Sequence, residues 1–125
     1  TPRLDGYYRS PDAFCRDEVS TFNWCLQFLS ETDCRFAAVY VRDQRAGSNV
    51  DAMFGSSFIH IGTWVRRNAS AVDVMLTDGQ SSQSLRLSLL LLSSSIRVTD
   101  TSHSDNWSQI NGEYWFVSVD PDSGG

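Results

Sequence analysis

The chain contains no lysine and no run of basic residues: its ten cations are all arginine, set against fifteen acids for a formal net charge of -5. Nucleic acids and anionic membranes are held by clustered cations that displace counterions, so neither is an expected partner. The lack of lysine reads as the composition of a GC-rich genome. Cysteine is scarce and odd in number: Cys15, Cys25 and Cys34 match no paired zinc or redox spacing, and His60 and His103 are the only histidines. No metal and no cofactor are therefore expected. Free, partly buried thiols suit a reducing intracellular compartment, nucleus or cytoplasm. The longest aliphatic run, Leu89 to Leu92, is far too short to cross a bilayer, and no signal-peptide pattern is visible. Two glycosylation sequons, Asn68-Ala69-Ser70 and Asn106-Trp107-Ser108, are short enough to arise by chance.

What is present is enough for one core. With 125 residues, 41% hydrophobic and 12% aromatic, a single domain is expected. Its start at Thr1-Pro2 and its Ser-Gly-Gly finish read as cut points within a larger protein. The organisation expected is an N-terminal helical extension over 1–34, packed on a β-domain over 35–120, with a tail over 121–125.

The first segment carries helix signals. Ser10 is a good N-cap, Pro11 fits the first helical position, and Asp12 suits the positive end of the dipole. Phe14, Val19, Phe22, Leu26 and Leu29 then recur at helical spacing, predicting a helix over about 11–29. After Thr32 the period changes. Strands are predicted over 36–41, 50–54, 58–65 and 72–76, then along the alternating Leu85, Leu87, Leu89 and Leu91, around Ile96 and Val98, and in one or two final strands between Trp107 and Val119. In the 58–65 segment Ile59, Ile61, Thr63 and Val65 form the more apolar face, with His60 a satisfied, half-buried side chain on the other. Turn clusters over 43–49 and at Asp78-Gly79 separate these elements. The fold class expected is mostly β: an antiparallel β-sandwich with one N-terminal α-helix.

The order and spacing of the strand motifs resemble the forkhead-associated family. The apolar strand and Gly turn over 39–47, the short strand over 50–54, Ile61-Gly62-Thr63, Asp73-Val74-Met75-Leu76, the stretch 81–100 and the Asn106 to Gly112 loop follow that family's sequence of elements. The resemblance covers 36 to about 119. It implies a β-sandwich that captures phosphothreonine peptides with its loops, through an arginine after the Gly, a Ser and Arg in a turn, a bracing His, and an Asn that holds peptide backbone.

This chain departs from that pattern where the phosphate is gripped. Thr63 replaces the first arginine and cannot supply its bidentate cation. Gln83 and Ser84 stand at the Ser and Arg positions, and Arg86 stands where the histidine belongs. Asn106 matches the peptide-holding asparagine. The candidate peptide- or phosphate-binding residues are therefore Thr63, Arg66, Arg67, Ser82, Ser84, Arg86, Asn106 and Asn111, in loops at 62–70, 79–86 and 101–112, with Trp107 the candidate interface anchor. The function implied is a non-enzymatic protein-interaction module, with weak or absent phosphothreonine-peptide binding and a protein partner. The polar cluster Asp100, Ser102, His103 and Asp105 has the default composition of a loop, and no catalytic residue is expected.

A rival reading is an α+β cone resembling the cystatin and nuclear-transport-factor-2 folds, which hold small molecules or act as isomerases and cyclases. It requires residues 36–46 to be helical, whereas Val39, Tyr40, Val41 and the Gly47 break favour a strand.

Overall fold

Why the chain folds as it does is clearest in its strand pairings. The computed structural model describes residues 7–14, 21–41, 60–77, 84–102 and 110–117. Nine strands occur there: β1 Tyr7–Arg9, β2 Ala13–Phe14, β3 Thr21–Phe28, β4 Asp33–Tyr40, β5 His60–Asn68, β6 Ala71–Thr77, β7 Ser84–Leu91, β8 Ser95–Asp100 and β9 Gly112–Val117. From β3 to β9 each strand pairs antiparallel with the next in sequence. β1 closes the ring by pairing with both ends of that meander: Tyr8 lies opposite Leu26 of β3 and opposite Phe116 of β9. The result is an eight-stranded antiparallel barrel, with β2 a short addition on β3. Closure removes the exposed edges that a sheet would otherwise present for aggregation.

This barrel overturns the expected sandwich with a leading helix. A sandwich needs crossovers between two sheets, and here sequence neighbours from β2 to β9 are sheet neighbours, with β1 closing one ring. No helix of the α type occurs among the described residues, and 21–28, expected to be helical, is a stave of the barrel. Phe22, Leu26 and Leu29 fit a 3.6-residue period, but Phe22, Trp24, Leu26 and Phe28 fit a period of two, and aromatic side chains favour the pleated geometry. The alternate residues Asn23, Cys25 and Gln27 are buried as well, so neither face of this strand carried a clean polar signal. The hairpin of β3 and β4 also crosses the boundary expected between an extension and a domain. The cone alternative fails on the same ladder, because 33–40 is strand rather than helix. The strand expected over 50–54 and the turns at 43–49 and Asp78-Gly79 lie outside the described residues.

Residues that looked like a helix cap serve the barrel differently. The Ser10 hydroxyl accepts a hydrogen bond from the Trp24 amide at 2.8 Å. The Asn23 side-chain amide donates to the Ser10 carbonyl at 2.9 Å and to the Asp12 carboxylate at 2.8 Å. A short polar side chain can bond backbone in either setting, and here it ties the segment leaving β1 to β3.

Alternation sets the core. Inward positions carry Tyr8, Trp24, Leu26, Phe28, Phe36, Val72, Val74, Leu76, Leu85, Leu87, Leu89, Ile96, Val98 and Tyr114, all buried in one cluster. The strand β5 was expected to bury Ile61, Thr63 and Val65, but its phase is opposite. Ile61 and Val65 are exposed, while His60 is buried and Trp64 packs against the core. The inward face thus takes the large indole of Trp64 against the core and leaves the smaller aliphatic side chains outside. A second cluster of Tyr7, Cys25, Ala37 and Val39 is buried on the outer side of the wall. The other outward positions mix charged residues, Arg67, Asp73, Arg86, Arg97 and Glu113, with exposed apolar ones, Ile61, Val65, Met75, Leu90 and Trp115, whereas the inward positions are mainly apolar. No described helix is long and apolar enough to cross a membrane.

Candidate functional site

The two ends of the barrel are built differently. At one end the strands are joined by the short links 29–32, 69–70 and 92–94. At the other, the connections are 10–20, 41–59, 78–83 and 101–111. Long connections gathered at one end of a rigid scaffold are where binding residues concentrate.

The short-link end is stoppered by aromatic side chains. Phe28 meets Trp64 edge to face at 5.2 Å, and Tyr8 meets Phe28 at 6.2 Å and Phe116 at 5.5 Å. The Trp64 indole donates to the Ser30 carbonyl at 3.0 Å and its amide donates to the Thr32 carbonyl at 2.9 Å, which fastens the turn beneath this plug. Further in, a second aromatic layer spans the barrel. Trp24 stacks on Phe36 with centroids 5.0 Å apart, and Phe36 stacks on Tyr114 of β9 at 6.4 Å. The Tyr114 hydroxyl donates to the Ile110 carbonyl at 2.8 Å, and burial raises its pKa well above the ordinary value.

At the long-connection end, His60 opens β5 directly opposite Phe36 and so faces the interior. It is only 3% exposed, and its Nδ1 has no hydrogen-bond partner. A buried polar atom left in this state costs about 1–3 kcal/mol, which makes it an exception to be explained. Sequence reasoning treated His60 as satisfied. The signal that could have found it is phase: His60 alternates with Gly62 and Trp64, and the tryptophan fixes that face as the inner one.

The same end holds a polar cluster around Asp100. Its carboxylate accepts from the Ser102 amide at 2.8 Å and hydroxyl at 2.6 Å. Its amide donates to Asn111 Oδ1 at 2.6 Å, and the Arg86 carbonyl accepts from the Thr101 amide at 2.9 Å. These bonds knit the ends of β7 and β8 to the start of β9. Asp100 and Ser102 thus perform turn-forming work, while His103 and Asp105 lie outside the described residues. Among the described residues no group of three or more His, Cys, Asp or Glu could hold a metal ion.

The barrel divides the residues expected to grip a peptide or phosphate. Thr63 is exposed on the outer face, opposite Asp33 and Met75. Arg66 lies opposite Val72 and Arg67 beside it, both exposed and next to the 69–70 link. Ser84 opens β7 at the other end, Arg86 faces outward from the same strand, and Asn111 bridges to Asp100. Arg66 and Arg67 are therefore at the opposite end from Ser84 and Asn111. The physical reason is that 62–73 forms an antiparallel hairpin rather than a rim loop. Arg67 is also engaged, contacting both Asp73 carboxylate oxygens at 2.6–3.0 Å. Ser82, Asn106 and Trp107 lie outside the described residues.

No protein-family model, curated protein or solved structure matches the chain.

Proposed function

We propose that this chain is a non-enzymatic binding module that takes a small, mainly apolar molecule into its barrel through the end with the long connections. The observation that carries the reading is the asymmetry of the ends. One is plugged by Phe28, Trp64, Tyr8 and Phe116, whereas the other has long connections and a buried His60 whose Nδ1 lacks a partner. An eight-stranded barrel is just wide enough either to be filled by side chains or to hold one small ligand, and ligand sites are concave and apolar with a few placed polar groups. The space for such a ligand is taken to lie between the Trp24–Phe36–Tyr114 layer and the long-connection end. The test is a titration of the isotopically labelled protein with a panel of small apolar compounds, followed by amide and indole NMR shifts. Saturable shifts at Trp24, Phe36 and His60 support the reading; no saturable binding of any compound overturns it.

A protein partner is the second reading. It is favoured by Ile61, Val65 and Met75, neighbours on the outer face of β5 and β6 that are 55%, 66% and 55% exposed. Apolar side chains grouped on a surface are a common mark of protein contacts. Loss of partner retention on Val65→Asp, with the fold kept, would support this reading. The phosphothreonine reading loses Arg66 and Arg67 as partners of its other groups, because they lie at the opposite end of the barrel from Ser84, Arg86 and Asn111.

A further inference from the structure

We propose that His60 is the specificity contact of the small-molecule site, and that it selects an aromatic ring bearing a hydroxyl. The inference rests on the reading of the barrel as a small-molecule binder and adds the class of ligand. His60 is 3% exposed, faces the interior opposite Phe36, and has an Nδ1 without a partner. A hydroxyl both donates and accepts, so it completes Nδ1 whichever imidazole nitrogen carries the proton. The ring requirement comes from the neighbours. Phe36, directly opposite His60, stacks on both Trp24 and Tyr114, so the wall beside the imidazole is aromatic, and contact between aromatic rings is favourable beyond the area it buries. Charge argues against an anion: the inward side of this end carries the Asp100 carboxylate opposite Leu87 and, among the described residues, no arginine. An acid buried there would face repulsion without a compensating cation.

The experiment compares p-cresol with toluene, the same ring with and without the hydroxyl, on the wild-type chain and on His60→Phe. Calorimetric titration gives the ratio of the two affinities in each protein, and comparing ratios cancels the different water solubility of the two compounds. The expected result is that the p-cresol to toluene ratio falls about tenfold in His60→Phe, the equivalent of one hydrogen bond. A ratio unchanged by the substitution overturns the role of His60 while leaving small-molecule binding intact. If neither compound binds wild type, the underlying reading and this inference fall together. A second measurement needs no variant: the ¹⁵N shift of His60 Nδ1 should move with p-cresol and stay with toluene, and an Nδ1 indifferent to p-cresol overturns the proposal.

Discussion

Trp24 and Phe36 lie face to face inside the barrel, with ring centroids 5.0 Å apart and planes 7° from parallel. They belong to adjacent strands but sit diagonally, since Trp24 pairs with Ala38 and Phe36 with Leu26. Both are buried, and Tyr114 extends the stack to β9. The stack thus ties β3 and β4 to β9, on the other side of the closing strand β1. Trp24→Ala should cost about 3–5 kcal/mol, combining lost burial with the cavity left behind. Against the 5–15 kcal/mol typical of a whole domain, that is a large share. Urea unfolding followed by far-ultraviolet circular dichroism measures it. The exposed Leu29→Ala is the control and should change stability by less than about 0.5 kcal/mol.

The thiols should be chemically silent in the folded protein. Cys25 and Cys34 are free, and on opposite faces of the wall they cannot approach one another. Burial pushes the Cys25 thiol up to about 12, partly offset by Arg9, and burial with Asp33 pushes the Cys34 thiol to about 12. The thiolate is the reactive form, so in a Cys15→Ser background a thiol reagent at pH 8 should label neither residue until denaturant is added. The pH dependence follows from the same shifts. An acid whose pKa is raised by folding contributes fully below its unfolded value, 9.0, and that contribution is lost as pH rises from there toward about 12. Stability to urea should therefore decline above about pH 9, and Cys25→Ala or Cys34→Ala should flatten that decline.

Gly62 should tolerate no side chain. A Cβ built there would lie 1.9 Å from the Met75 carbonyl oxygen and 2.7 Å from the Leu76 Cα, both backbone atoms of the neighbouring strand. Neither can move without parting β5 from β6. Gly62→Ala should lower stability by more than about 2 kcal/mol, although alanine is ordinarily the mildest replacement. A thermal melt within a degree of wild type would show that the two strands are not so closely apposed.

Much of the β-structure could be read from alternation alone. Leu85, Leu87, Leu89 and Leu91 declare β7, and Ile96 with Val98 declares β8, because one face is apolar and the other carries Arg or Ser. Alternation fails where both faces are covered. In β3, Asn23, Cys25 and Gln27 are buried on the outer side, and two periods fitted the same apolar residues. β1 is only three residues long, too short to show any period, yet it closes the barrel. Missing those two strands turns a ring into an open sheet, which is why a sandwich looked sufficient. The candidate site was less legible for a related reason. A histidine in an apolar strand carries no mark of whether its nitrogens find partners; that emerges only when the opposite strand places Phe36 beside it.

The last expectation concerns Arg67, where an ion-pair role and a phosphate-binding role make different forecasts. Its guanidinium reaches both oxygens of Asp73, but the two side chains are 63% and 41% exposed. Exposed pairs lose most of their Coulomb attraction to solvent screening and side-chain entropy, so the pair is worth less than about 1 kcal/mol. Arg67→Ala should therefore shift the melting temperature by only a few degrees, less still in high salt. A phosphothreonine peptide would have to draw the arginine from Asp73, and at this end Ser84 and Asn111 cannot assist. Peptide arrays should accordingly show no difference between phosphorylated and unphosphorylated threonine. Phosphate-dependent retention that Arg67→Ala or Arg66→Ala abolished would reverse that conclusion and move the binding surface to the short-link end of the barrel.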